Sequence, residues 1–195
     1  MSLIHEGAEA QIIQDTLKKD RVIKKRQTKQ YRHPELDSYL RKRRTKLESK
    51  LLIAAHPLSP LVYETAIHSI VLEKIEGQTL GSYISLNNKL PFNLGAALAE
   101  LHSKAIVHGD LTTSNILVDS SEDIKFIDFG LGKFSKKIED IAVDLHIFKQ
   151  IIESEHPESA NTFWETLLKG YNLPVKKEVI SRLEKLELRG RYKKK

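Results

Sequence analysis

His108-Gly109-Asp110-Leu111-Thr112-Thr113-Ser114-Asn115, followed by Asp128-Phe129-Gly130, is the stretch whose reading decides this chain. Between the two motifs lie Ile116-Leu117-Val118 and Ile124-Lys125-Phe126-Ile127, short apolar runs of the kind that pair as a hairpin. Taken singly, Asp110 and Asn115 suit turns, because both residue types favour them. Independent turns rarely reproduce three such positions together with the strands between them. Oxygen-bearing side chains in this order suit a hard cation, so Asn115 and Asp128 are the candidate ligands for Mg2+. Asp110 is placed to orient an attacking hydroxyl or water and to accept its proton. The chemistry predicted is transfer of a nucleotide's γ-phosphoryl group.

The spacing is that of a protein-kinase catalytic loop and metal-binding loop. At 195 residues the chain is shorter than a typical kinase fold needs, and its length allows one domain or a small bilobal unit. Its composition, 40% hydrophobic and 30% charged, is that of a soluble globular protein. No apolar run approaches the ~20 residues of a membrane span, so no membrane association is expected. Met1 to Ala10 has no apolar run of the secretory type. The absence of cysteine excludes disulfides and thiolate metal sites and fits a cytoplasmic location, or a nuclear one in a eukaryote. The net charge is +6, and its basic residues gather at Arg41-Lys42-Arg43-Arg44 and at the end, Arg189 to Lys195. Such runs fit either a solvated surface or contact with a nucleic-acid backbone.

Strands are predicted over Gln11–Leu17, Arg21–Lys24, Leu61–Thr65 and Ser69–Glu73. From Glu35 to Ala55 the residues Leu36, Leu40, Leu47, Leu51 and Leu52 recur at helical spacing, with Pro34 suited to the first turn. Glu76-Gly77-Gln78 reads as a connector with little structure of its own. Helices are predicted over Phe92–Lys104, Ile138–Glu153, Glu158–Gly170 and Val175–Leu188, the first with Leu94, Ala97, Leu98 and Leu101 on one stripe. Strands with one helix, then helices, predict an α+β fold of two lobes with a cleft between them. Residues 1–76 would form the small β-rich lobe and 77–188 a truncated helical lobe, with 189–195 as a basic tail.

If the second half positions the metal and the acceptor, the first half should hold the phosphates. Lys24, at the end of Val22-Ile23-Lys24, is the candidate, and strand alternation would turn Lys25 to the opposite face. Glu48, beside Leu47 and one turn before Leu51 and Leu52, is the expected carboxylate partner of Lys24; an exposed lysine and a solvated helical glutamate are the plainer readings. The phosphate loop is degenerate, with Gly7 alone in position among Glu6, Ala8 and Glu9. Adenine would dock on the link between lobes, against the Glu73 carbonyl and the Ile75 N–H. His108 is expected to brace the metal-loop backbone and Asp144 to hold the catalytic loop, while Glu139 and Asp140 suit a helix N-terminus.

With these residues assembled, the chain resembles the small atypical kinase family of the KEOPS complex, which takes part in making threonylcarbamoyladenosine in tRNA. The resemblance runs through Glu6-Gly7-Ala8-Glu9-Ala10, Ile23-Lys24-Lys25-Arg26, Lys29 to Asp37, Arg44 to Glu48, His108 to Asn115, Asp128 to Leu131, Glu139-Asp140 and Val143-Asp144-Leu145. Tyr31-Arg32-His33-Pro34 and the glycine of His108-Gly109-Asp110 are its most specific marks, since ordinary protein kinases usually have Arg in place of that glycine. Arg189-Gly190-Arg191 resembles the family's basic end. Ile141 departs, since relatives commonly carry Lys there, and so does Tyr192 within the basic tail.

The resemblance implies ATP-dependent Ser/Thr phosphorylation and ATP hydrolysis, with Mg2+ and with Mn2+ as a substitute. It implies a threonylcarbamoyl-transfer subunit on the larger lobe, a small subunit on the N-terminal lobe, and tRNA approached by the tail residues Arg189, Arg191 and Lys193. Between Gly130 and Asp144 there is no room for the long segment on which conventional kinases bind peptides. Two other classes remain. A small-molecule phosphotransferase of the aminoglycoside or choline kinase type also uses His-Gly-Asp loops, but carries a larger helical region for its acceptor; ribosome-maturation kinases lack Asp-Phe-Gly. A nucleotide- and tRNA-binding scaffold without turnover is suggested by the degenerate Gly7 loop.

Overall fold

A computed structural model gives the fold. It describes residues 2–7, 9–83 and 89–192, the last four by backbone alone. The N-terminal part is an antiparallel sheet of five strands in the order β1-β2-β3-β5-β4. The strands are β1 (Leu3–Glu6), β2 (Ala10–Gln14), β3 (Arg21–Arg26), β4 (Val62–Thr65) and β5 (Ser69–Glu73). β2 is shorter than its apolar pattern suggests. The Asp15 carboxylate accepts from the Leu17 N–H at 2.8 Å, a local turn that ends the strand and leaves Leu17 exposed.

Between β3 and β4 runs α1 (Pro34–Ala55), with Pro34 in its first turn. Its buried residues are Asp37, Thr45, Glu48, Ser49, Leu51, Leu52 and Ala55. The leucine stripe expected to be buried is therefore only half so: Leu51 and Leu52 are covered, while Leu36 and Leu47 are exposed. The first turns of α1 lie over ion pairs instead, with Asp37 accepting from Arg41 Nε at 2.6 Å.

The segment after β5 is more ordered than a bare connector. β6 (Gly77–Thr79) pairs antiparallel with β8 (Ile116–Asp119), which pairs with β9 (Ile124–Phe126). A Cβ at Gly77 would stand 2.7 Å from the Val118 carbonyl oxygen, so this close pairing needs glycine. The short α2 (Leu80–Tyr83) follows, then α3 (Leu90–Ser103) and β7 (Ile106–Val107), which pairs with β10 (Lys133–Phe134). α4 (Ile138–Glu155), α5 (Ala160–Gly170) and α6 (Lys176–Tyr192) complete the helical part. α6 runs on through 189–192, so the start of the expected tail is helical, and Lys193 falls outside the described residues.

The helical core joins Leu94, Leu98 and Leu101 of α3 to Leu145 and Phe148 of α4, and to Phe163, Trp164 and Leu167 of α5. α3 and α5 approach closely because each presents glycine to the other's backbone. A Cβ at Gly95 would strike the Leu167 carbonyl, and one at Gly170 the Phe92 carbonyl. Gly95→Ala is expected to lower stability by about 1–3 kcal/mol through overpacking, read as a lower urea midpoint with an unchanged slope.

Candidate active site

The site forms where β3, α1, the 108–115 loop and the 128–130 turn converge. Pleat alternation places Lys24 and Arg26 on one face of β3, both buried, with Lys25 exposed on the other. Lys24 Nζ lies 2.6 Å from Glu48 Oε1 and 2.8 Å from Asp128 Oδ1. The Arg26 guanidinium holds the second oxygen of Glu48. Arg26 also donates to Glu9 Oε2 at 3.2 Å, and Arg44 of α1 pairs with the same carboxylate. These contacts join the loop after β1 to the helix.

The 108–115 loop is fixed by a buried carboxylate. Asp144, fully buried on α4, accepts from the His108 N–H at 2.5 Å and from the Gly109 N–H at 2.7 Å. His102 Nε2 lies 3.5 Å from the same carboxylate, and His102 Nδ1 is 2.8 Å from the Tyr171 hydroxyl. Burial beside Asp144 pushes the Tyr171 phenol upward, so it stays protonated. Gly109 has φ +80°, and a Cβ there would meet the Leu131 carbonyl oxygen. Both facts require glycine and explain why no arginine stands at that position.

His108 Nε2 is 2.9 Å from the Ile127 carbonyl, and its ring lies 4.7 Å from that of Phe129. Burial holds the imidazole below its ordinary pKa despite Asp144, so it is neutral and donates to that carbonyl. His108 thus ties the 108–115 loop to the turn that carries Asp128.

Asn115 Nδ2 donates to the Asp110 carbonyl at 2.9 Å and to Asp110 Oδ2 at 3.2 Å, which orients the carboxylate and turns the Asn115 oxygen away from it. Asp128 has φ +60° and accepts from the Gly130 N–H at 3.1 Å. Burial pulls its carboxyl upward, but Lys24, the Gly130 N–H and Arg26 outweigh that and keep it below the usual carboxylate range. It therefore stays ionised at neutral pH. A cleft of about 290 Å³ opens here, lined by Gly7, Glu9, Lys24, Arg26, Asp110, Asp128 and Gly130 among others.

The donor set fits Mg2+. Asn115 and Asp128 present hard oxygens, and among the described residues no group of three His, Cys, Asp or Glu gathers as a self-sufficient metal site. A cation held by two side chains and completed by phosphates and water is the arrangement Mg2+ favours.

The structure thus brings together Lys24, Glu48, Asp110, Asn115 and Asp128, with Gly7 on the cleft wall. Glu73 and Ile75 are not among the residues lining this cleft. The Glu73 N–H donates to the Leu61 carbonyl at 2.9 Å, its carboxylate accepts from the Leu61 N–H at 3.1 Å, and Ile75 sits in the link to β6. Arg189 and Arg191 lie on the last turns of α6. The sequence motifs alone give Arg26 and Glu9 no role at the site, although Arg26 is two residues beyond Lys24 and so shares its face.

Residues 59–150 match the protein kinase domain. The KEOPS complex subunit Bud32 of Pyrococcus abyssi is 36% identical over 218 aligned positions, covering 99% of this chain and 97% of that protein. The chain belongs to the Bud32 family. A probable bifunctional tRNA threonylcarbamoyladenosine biosynthesis protein of Methanobrevibacter smithii is 39% identical over 98% of this chain, and the chain spans 37% of that protein's length. The Bud32-family fold is also that of the Rio2 kinase from Chaetomium thermophilum, whose crystal structure matches with TM-score 0.65 and 17% identity over 100% of this chain and 71% of that one. The fold is α+β and protein-kinase-like, as the sequence predicts. Among the described residues no helix is long and apolar enough to cross a membrane.

Removal of the Asp144 carboxylate would strand the buried His108 N–H and the half-buried Gly109 N–H and break two charge-assisted hydrogen bonds. Asp144→Ala is expected to cost about 3 kcal/mol or more in chemical unfolding.

Proposed function

We propose that this chain is a Mg2+-ATP-dependent atypical Ser/Thr kinase and ATPase that supports threonylcarbamoyladenosine formation in tRNA. The observation that carries the reading is the convergence of Lys24, Glu48 and Asp128 opposite the Asp110–Asn115 pair. Lys24 Nζ, 2.8 Å from Asp128 Oδ1, supports a role in which its ammonium would meet phosphates beside the metal. When bound, Mg2+ would be held by Asn115 and Asp128 and would neutralise charge on the phosphates. The Rio2 kinase of similar fold was crystallised with ADP and Mg2+.

Asp110 does the proton chemistry in this reading. Its carboxylate is oriented by Asn115, and it faces the cleft that Lys24 and Asp128 line. It would orient the attacking oxygen and take its proton. Whether that oxygen belongs to water or to a side-chain hydroxyl separates ATP hydrolysis from phosphorylation.

The link from Gly130 to α4 favours hydrolysis coupled to a partner. It is taken up by β10, and Lys133 pairs with Asp140 at 2.8 Å, so the chain passes directly into α4. Little surface is left there to hold an exogenous peptide. In the KEOPS setting the partners would be a threonylcarbamoyl-transfer subunit on the helical lobe, a small subunit on the sheet lobe, and tRNA near the end of α6. The names of the relatives support this role.

γ-Labelled ATP with Mg2+ tests the proposal. Asp128→Ala and Asp110→Ala are expected to lose about two or more orders of magnitude in turnover while still unfolding in one cooperative transition. Free phosphate that rises with tRNA and the transfer subunit marks an ATPase; label on protein marks a kinase. Unchanged turnover in Asp128→Ala would overturn the proposal.

A further inference from the structure

Arg26 is only 5% exposed and Glu48 only 1%, in a site where a single lysine would already satisfy the glutamate. Instead Glu48 is divided between two cations. Its Oε1 takes Lys24 Nζ at 2.6 Å, and its Oε2 takes the Arg26 Nη2. Lys24 is itself divided, since Nζ also reaches Asp128 at 2.8 Å. Arg26 extends its other arm, Nη1, to Glu9 in the phosphate loop, 3.2 Å away, and Arg44 holds Glu9 from α1. Positive and negative groups therefore alternate through the site: Arg44, Glu9, Arg26, Glu48, Lys24, Asp128.

Phosphate binding makes conflicting demands on Lys24. An ammonium committed to Glu48 offers no net charge to a nucleotide. A Glu48 deserted by Lys24 would be a buried carboxylate without a counter-charge, which is strongly unfavourable. Arg26 resolves the conflict, because a guanidinium stays protonated and its planar fork can serve two carboxylates at once. With Glu48 neutralised by Arg26 and Asp128 engaged by the metal, the Lys24 charge is left over for the phosphates.

We propose that Arg26 is a positioning residue that neutralises Glu48 and thereby frees the Lys24 ammonium for the nucleotide, while its second arm ties Glu9 of the glycine-poor loop to the same network. This rests on the kinase reading above and adds to it a residue that acts through Glu48 rather than on the substrate.

The test is a cycle of Arg26→Met, Glu48→Gln and the double variant in the full chain. Mg2+-ATP binding is measured by calorimetry, turnover by phosphate release, and folding by thermal melting. Arg26→Met is expected to raise Kd and KM for Mg2+-ATP about tenfold or more, with a smaller change in kcat. Adding Glu48→Gln to Arg26→Met is expected to bring Kd back toward wild type, because Lys24 then has no buried carboxylate to serve. If Arg26→Met does not fold, Arg26→Gln takes its place in the cycle. A double variant that binds more weakly than either single one would mean that the residues merely hold α1, and would overturn the proposal. So would equal affinity in wild type and Arg26→Met. Failure of wild type to bind Mg2+-ATP would remove the kinase reading and this proposal together.

Discussion

The carboxylate of Glu48 is the constraint on which the rest of the site depends. Burying a charge is tolerable only where it is paired and hydrogen-bonded, and here both of its oxygens meet cations. That requirement fixes α1 against β3, and β3 then presents Lys24 and Arg26 together on one face. Lys24 in turn reaches Asp128, which draws the 128–130 turn toward the sheet. One buried anion thus aligns three segments that are far apart in sequence.

The helical part solves a parallel problem with Asp144. Here the buried carboxylate is satisfied by backbone N–H groups of His108 and Gly109 and approached by His102. His108 passes the constraint on to the Ile127 carbonyl, beside the 128–130 turn. The 108–115 loop and the 128–130 turn are therefore held by Asp144 and His108, neither of which lines the cleft. Gly109 is part of the same solution, because its backbone conformation and the nearby Leu131 carbonyl exclude any side chain. Ion pairs at the front of the site and backbone hydrogen bonds behind it leave Asp110 and Asp128 to face the cleft, with Asn115 bonded to Asp110.

Much of this was legible in the sequence where chemistry depends on local spacing. Asp110 and Asn115 share one loop, and Asp128 follows one hairpin later, so residue order alone brings them near one another. Lys24 and Glu48 were readable as a strand-end lysine and a glutamate on the inner edge of a helix. What escaped depends on tertiary surroundings. The leucine pattern of α1 overstated burial, because Leu36 and Leu47 have no apolar layer above them while Asp37 and Glu48 are covered by arginines. Gly77-Gln78-Thr79 has weak strand character by itself and becomes a strand only because β8 supplies its partner. Arg26 and Glu9 look like surface charges in the sequence, and only the fold places them 3.2 Å apart within the cleft wall.

Hydrogen–deuterium exchange with and without Mg2+-ATP tests most directly the claim that these segments form one nucleotide site. The account predicts that protection rises together in β3 at Lys24, in α1 around Glu48, and in residues 108–115 and 128–130, and that omitting Mg2+ removes most of the effect. Protection confined to other segments, or a profile unmoved by Mg2+-ATP, would contradict it.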